Sequence, residues 1–172
     1  SERRIQASGQ QAAGAQTATE AEMPGPASAT INASMFSASL DNAVDAALAR
    51  PLNNDMFSGD TLGIGTVTGV KTPTLGMRVR KSGRTTGVTS ATVTLLNATV
   101  NVSYTTVRGN RTARFTGQVI TDAMSQGGDS GSLVVDADEL RAVGLLFAGS
   151  PVATIFTPID AVLNALNVEF GD

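Results

Sequence analysis

The alternation of apolar and polar positions divides the chain into three textures. Residues 1–30 are rich in Ala, Gln, Ser, Thr and Gly, close on Met23-Pro24-Gly25-Pro26, and show neither a two-residue nor a 3.6-residue apolar period. Such a stretch reads as a loop, linker or tail, and a helix over Ile5 to Ala15 is weakened by Gly9 and Gly14. Residues 31–63 carry the run Ile31–Phe36 and then Val44–Ala49, which stops at Pro51 and reads as a strand or a tight turn into one. From residue 64 onward the pattern becomes regular. Strands are predicted at Ile64–Val70, Met77–Lys81, Val88–Ala98, Val100–Thr106, Ala113–Thr121, Ser132–Val135, Ala142–Phe147 and Thr154–Phe156, with Gly, Asn, Asp or Pro at most of the breaks. Short strands punctuated this way predict a Greek-key barrel or sandwich. Ile159, Val162, Leu163 and Leu166 then fall at helical spacing after Pro158, so a C-terminal helix over 159–167 is predicted to pack on the last strands.

Composition supports the all-β reading, because the 172 residues hold few aromatics and no Trp, while Val, Leu, Ala, Thr and Gly dominate. The net charge is −3 and the only basic cluster is Arg78, Arg80, Lys81 and Arg84, which argues against nucleic acid as a partner. Cysteine and histidine are both absent. That excludes disulfides, a thiolate nucleophile and a Cys or His metal site, and no cofactor is indicated. There is no apolar run long enough for a membrane-spanning helix. The opening Ser1-Glu2-Arg3-Arg4 has neither an initiator Met nor an apolar leader and is read as a processed or truncated start.

The most informative segment is Gly127-Gly128-Asp129-Ser130-Gly131-Ser132-Leu133-Val134-Val135, in which a glycine-flanked serine runs straight into an apolar strand. Glycines on both sides allow a turn that projects the Ser130 hydroxyl and aims the Gly128 and Ser130 N–H groups together as an oxyanion hole. The bland alternative is an ordinary turn between strands. Here the sequence resembles the chymotrypsin-like serine peptidases, whose nucleophile sits in a Gly-Asp-Ser-Gly turn. Lys81-Ser82-Gly83-Arg84-Thr85-Thr86-Gly87 is similar to the second-barrel entry of bacterial members, Val143–Ser150 to the strand lining their specificity pocket, and Thr154–Pro158 to the strand after it.

That resemblance implies a double Greek-key β-barrel with its second barrel complete over 64–172, including the C-terminal helix, and a remnant of the first barrel in 31–63. It implies Ser130 as nucleophile and Asp45 as the acid of the triad, with Asp41 as rival and a turn-capping Asp as the plain alternative. Asp129 is implied to form an internal ion pair with Arg84. Met124, Phe147, Gly149 and Thr154 are implied to shape the specificity pocket, which contains no acid and suits an apolar or small substrate residue.

The departure from the family is the missing histidine, since a serine hydroxyl needs a base to take its proton. Three readings follow. In the first, the chain is the C-terminal part of a processed bacterial serine endopeptidase, with autoproteolysis as the expected cut, whose His-bearing N-terminal part is a separate partner. Alternatively it is a His-less pseudopeptidase that binds peptides or acts as a scaffold. In the third reading Lys71 or Lys81 serves as base. Unpaired strand edges in a partial barrel favour the first. A peptide or protein is the expected substrate, homo-oligomerisation stays open, and either a cytoplasmic or a secreted location fits.

Overall fold

The computed structural model describes residues 41–53, 58–107 and 109–171; the stretch 1–30 and the run Ile31–Phe36 lie outside these. Eight strands and one helix follow in order: β1 Asp60–Thr61, β2 Gly65–Thr66, β3 Arg78–Gly83, β4 Gly87–Thr106, β5 Gly109–Asp122, β6 Leu133–Asp136, β7 Ala142–Gly149, β8 Ala153–Pro158 and α1 Ile159–Leu166. Six of the strands close into an antiparallel barrel in the order β3-β4-β5-β8-β7-β6, and β6 returns to pair with β3. The jump from β5 to β8, with β6 and β7 filling the gap, is the Greek-key connection expected from the strand spacing.

Strand periodicity decides what fills the barrel. Inward positions one residue apart from outward ones place Val79, Val93, Val119, Met124, Val134, Val143, Leu146 and Phe156 in a single buried cluster. A second cluster, Val67, Val135, Ala142 and Ile159, joins α1 to the outside of β6 and β7. Helix α1 buries Ile159 and Val162, as the spacing predicts, and ends where Asn167 takes a left-handed φ of 51°. Pro158 at its N-cap has no N–H to satisfy.

Three expectations about elements are modified. The two strands Val88–Ala98 and Val100–Thr106 are one twenty-residue strand, β4, with register shifts against β5 around Leu95, Ala98 and Val100. Asn97 sits there at a φ of 54°, so the polar break in the pattern marks a β-bulge and not a strand end. The run Ile64–Val70 is not continuous either: only Gly65–Thr66 pairs with β1, and Val70 bridges Ala142 on its own. The apolar stretch Val44–Ala49 forms no strand, and the strand-like pairing of its segment with the sheet is the isolated parallel bridge of Asn42 to Phe115.

That segment is nonetheless well anchored. The Asn42 N–H donates to Arg114 O (2.9 Å), and Asn42 O accepts from the Thr116 N–H (2.9 Å). The fully buried Gln118 donates from Nε2 to Ala43 O (2.9 Å), while its Oε1 accepts from Thr157 Oγ1 (2.8 Å). Asp41 adds an ion pair with Arg114 (3.4 Å).

Candidate active site

The turn between β5 and β6 carries Ser130, and its shape is set by the residue before it. Asp129 is buried, and its carboxylate gathers four donors: the Thr86 hydroxyl (2.7 Å) and the N–H groups of Thr85 (2.8 Å), Gln126 (3.0 Å) and Thr86 (3.2 Å). Its charge is balanced by Lys81, whose Nζ lies 3.2 Å from Asp129 Oδ2 with both side chains fully buried. The same ammonium also donates to Gly87 O (3.0 Å) and to Thr86 Oγ1, so all three of its hydrogens are used. Burial opposes ionisation of Asp129 more than any other single influence. The hydrogen bonds from Thr86, Gln126 and Thr85 together outweigh it and hold the carboxyl well below its usual range.

The ion-pair partner of Asp129 is therefore Lys81 and not Arg84. Side chains alternate along β3, so Val79 and Lys81 share the inward face. Arg84 lies past the strand end, where it is exposed. Lys81, tied up in this network, is not placed to act as a base, and Lys71 is engaged by Asp136 (3.1 Å) and Glu139 (2.8 Å).

Held from below in this way, the turn presents Ser130 at the surface. Its Oγ donates to Phe147 O (3.2 Å). Neighbouring N–H groups are consumed internally, Asp129 N–H by Gln126 O (3.1 Å) and Gly131 N–H by Leu146 O (2.7 Å). Among the described residues the N–H groups of Gly128 and Ser130 have no acceptor. Gly128 adopts a φ of 100°, and a Cβ there would strike Thr85 Oγ1, so the turn demands glycine on two counts.

Beside Ser130 opens a cavity of about 430 Å³, lined by Ser125, Gly127, Leu146, Gly149 and Ser150 among others. A hollow of similar size beside α1 contains none of the predicted site residues. Of the residues expected to shape the specificity pocket, Gly149 lines the cavity directly, and Thr154 lies fully buried behind it, with Oγ1 2.8 Å from Ser125 Oγ. Met124 and Phe147 do not line it. Met124 belongs to the barrel core, and the Phe147 ring packs on Phe115 with centroids 4.8 Å apart. The residue after Met124, Ser125, takes the cavity position that the resemblance gave to the methionine, just past the end of β5.

Asp45 is exposed, and its Oδ2 accepts a hydrogen bond from the Tyr104 hydroxyl (3.0 Å) on β4. Burial first, and then the Asp45 charge, push the Tyr104 hydroxyl to titrate well above its ordinary range. No described contact joins Asp45 to Ser130. A chain of neighbours does connect their surroundings, from Asn42 through Phe115 and Phe147 to the carbonyl that accepts from Ser130. Sequence reasoning missed Tyr104, Gln118 and Ser125. None of the three left a local signal in the sequence.

A closed Greek-key barrel presenting a glycine-flanked serine over a buried ion pair defines the chymotrypsin-like serine protease fold. No protein-family model matches the chain. Among solved structures it is similar to Nocardiopsis protease, at 26% identity and a TM-score of 0.52 over 66% of this chain and 59% of that one. It is likewise similar to Thermobifida fusca protease A, at 29% identity and a TM-score of 0.51 over 64% of this chain and 57% of that one. The chain thus spans less than three fifths of either protein. The likeness to these bacterial serine proteases thus extends to three dimensions over about two thirds of this chain.

Proposed function

We propose that this chain is the nucleophile-bearing barrel of a serine endopeptidase that becomes competent when a histidine-bearing N-terminal segment, outside these 172 residues, docks beside Ser130. The observation that carries the reading is the built turn: Ser130 exposed, the Gly128 and Ser130 N–H groups without acceptors, and the ion pair of Asp129 and Lys81 beneath them. In the complemented protein, Ser130 Oγ attacks the scissile carbonyl carbon while its proton passes to the imidazole. The two N–H groups receive the oxyanion, the amine leaves with that proton, and water releases the acyl group. Asp45, held by Tyr104 on an anchored segment, would orient the imidazole.

The test is labelling of Ser130 by a fluorophosphonate probe. This chain alone should react at no more than a small fraction of a working triad's rate, since an oxyanion hole alone leaves only about 10³–10⁴-fold over water. Adding the histidine-bearing segment, on the same polypeptide or as a separate one, should restore labelling. Cleavage between the two parts is a further element of the proposal: if it is self-processing, S130A in the precursor blocks it. The absence of histidine from the chain supports the second reading, a pseudopeptidase that binds peptides without cutting them. Absence of labelling with the segment bound favours that reading.

A further inference from the structure

The cavity beside Ser130 has a directional polarity that follows from counting hydrogens on its hydroxyls. Thr154 Oγ1 accepts from the Met124 N–H (3.0 Å) and lies 2.8 Å from Ser125 Oγ. Thr154 is fully buried, and among the described residues its hydroxyl hydrogen has no other acceptor. A buried O–H left unpaired costs about 1–3 kcal/mol. Thr154 is therefore the donor to Ser125, and the Ser125 hydrogen is free to point into the cavity.

Ser150, on the other side, reaches the same state by a different route. Its Oγ accepts from the N–H groups of Val152 (3.3 Å) and Ala153 (3.2 Å), which fills both lone pairs and leaves its single hydrogen to donate outward. Both cavity hydroxyls thus have hydrogens available to a guest, and Ser150 has both lone pairs filled by the protein while Ser125 has one filled by Thr154. Gly149 keeps this surface open, because a Cβ there would come within 2.7 Å of Ser125 Oγ. Among the described residues no ionisable side chain lines the cavity.

We infer that the cavity beside Ser130 selects a substrate side chain ending in an uncharged hydrogen-bond acceptor, a carboxamide such as glutamine or asparagine, recognised by the Ser125 and Ser150 hydroxyls. This inference rests on the peptidase reading of the site and replaces the apolar preference expected when Met124 is placed in the pocket. A carboxylate would find two donors but no cation, and leaving water without one is costly. An isosteric apolar side chain would leave both hydroxyl hydrogens unpaired.

Binding reads the preference without requiring catalysis. Product-like acetylated tetrapeptides, identical except for a C-terminal Gln, Glu or Met, are titrated into the complemented S130A protein by calorimetry. The Gln peptide should bind about tenfold tighter than the Met peptide, the effect of one to two net hydrogen bonds, and tighter than the Glu peptide. S125A should shrink the Gln-over-Met difference, and S125A combined with S150A should abolish it. G149A, whose Cβ covers the Ser125 hydroxyl, should shrink it as well; it tests the geometry in a second background. Equal or tighter binding of the Met or Glu peptide overturns the inference, as does a preference that S125A leaves undiminished or that survives the double variant, or no binding by any of the three. A fluorophosphonate label on the matching Ser130 protein reports separately on the peptidase reading, so failure of one is distinguishable from failure of the other.

Discussion

Replacing Lys81 with methionine tests the internal support of the nucleophile turn, because methionine keeps the apolar stem of the side chain and removes the ammonium with its charge and hydrogen bonds. In the native barrel the Lys81 ammonium satisfies Asp129, Thr86 and Gly87 at once. K81M leaves a buried carboxylate with its hydrogen bonds but no counter-charge, a change that costs about 3–5 kcal/mol. Against a total stability of roughly 5–15 kcal/mol this is a large fraction, and for a chain of this size it corresponds to a melting point lower by roughly 6–20 °C.

The pH dependence supplies the sharper criterion. In the native protein the Asp129 carboxyl is lowered from its ordinary 3.8, so its contribution is complete above that value and fades as pH falls toward the native one. Without the ammonium the native carboxyl titrates higher than it does in the parent. The deficit of K81M relative to the parent is therefore greatest near neutrality and narrows on acidification, as the stranded carboxylate takes up a proton. Urea denaturation at about pH 7 and about pH 4 checks both statements. A deficit below about 1 kcal/mol at neutrality, typical of an exposed pair, or one that does not change with pH, refutes the reasoning.

Three further outcomes follow from the same geometry. T86V removes the hydroxyl shared by Lys81 and Asp129 but leaves the charges paired, so denaturation should show a loss of about 1–3 kcal/mol, smaller than that of K81M. G128A forces a Cβ onto a left-handed residue and against Thr85; a strain of about 1–3 kcal/mol should displace the turn and abolish fluorophosphonate labelling in the complemented protein, with retained labelling counting against the assigned role of that N–H. Q118L strands Ala43 O and the Thr157 hydroxyl; amide exchange of Asn42–Asp45 should speed up markedly, whereas unchanged protection would show that the segment is held by other contacts.

How far the sequence could be read depended on whether a feature was local or relational. Alternation located β3 to β8, and 3.6-residue spacing located α1, because each pattern is written within its own element. Bulge and strand end look alike in one dimension: Asn97 marks either, and only the continued pairing of β4 with β5 decides between them. Of the corrected site residues Arg84, Met124 and Phe147, the first is a matter of strand parity. Lys81 shares Val79's inward face, which alternation along β3 already contained, but a buried lysine is expected only where a carboxylate awaits it. Met124 and Ser125 differ by one position, and one position is the difference between core and cavity. Tyr104 and Gln118 act on residues 59 and 75 positions away, a separation at which no local pattern can announce a partner.

The pairing of β3 with β6 also orders events in time. Lys81 enters with the first strand of the barrel, whereas Asp129 arrives just ahead of β6, and the pairing of those two strands brings the ion pair together. Long-range strand pairing of this kind is slow, because the entropy of closing the intervening chain must be met first. Before that closure Asp129 lacks its cation, and the turn that displays Ser130 lacks its buried support. A chain still being made is therefore expected to carry Ser130 without the geometry that the closed barrel gives it.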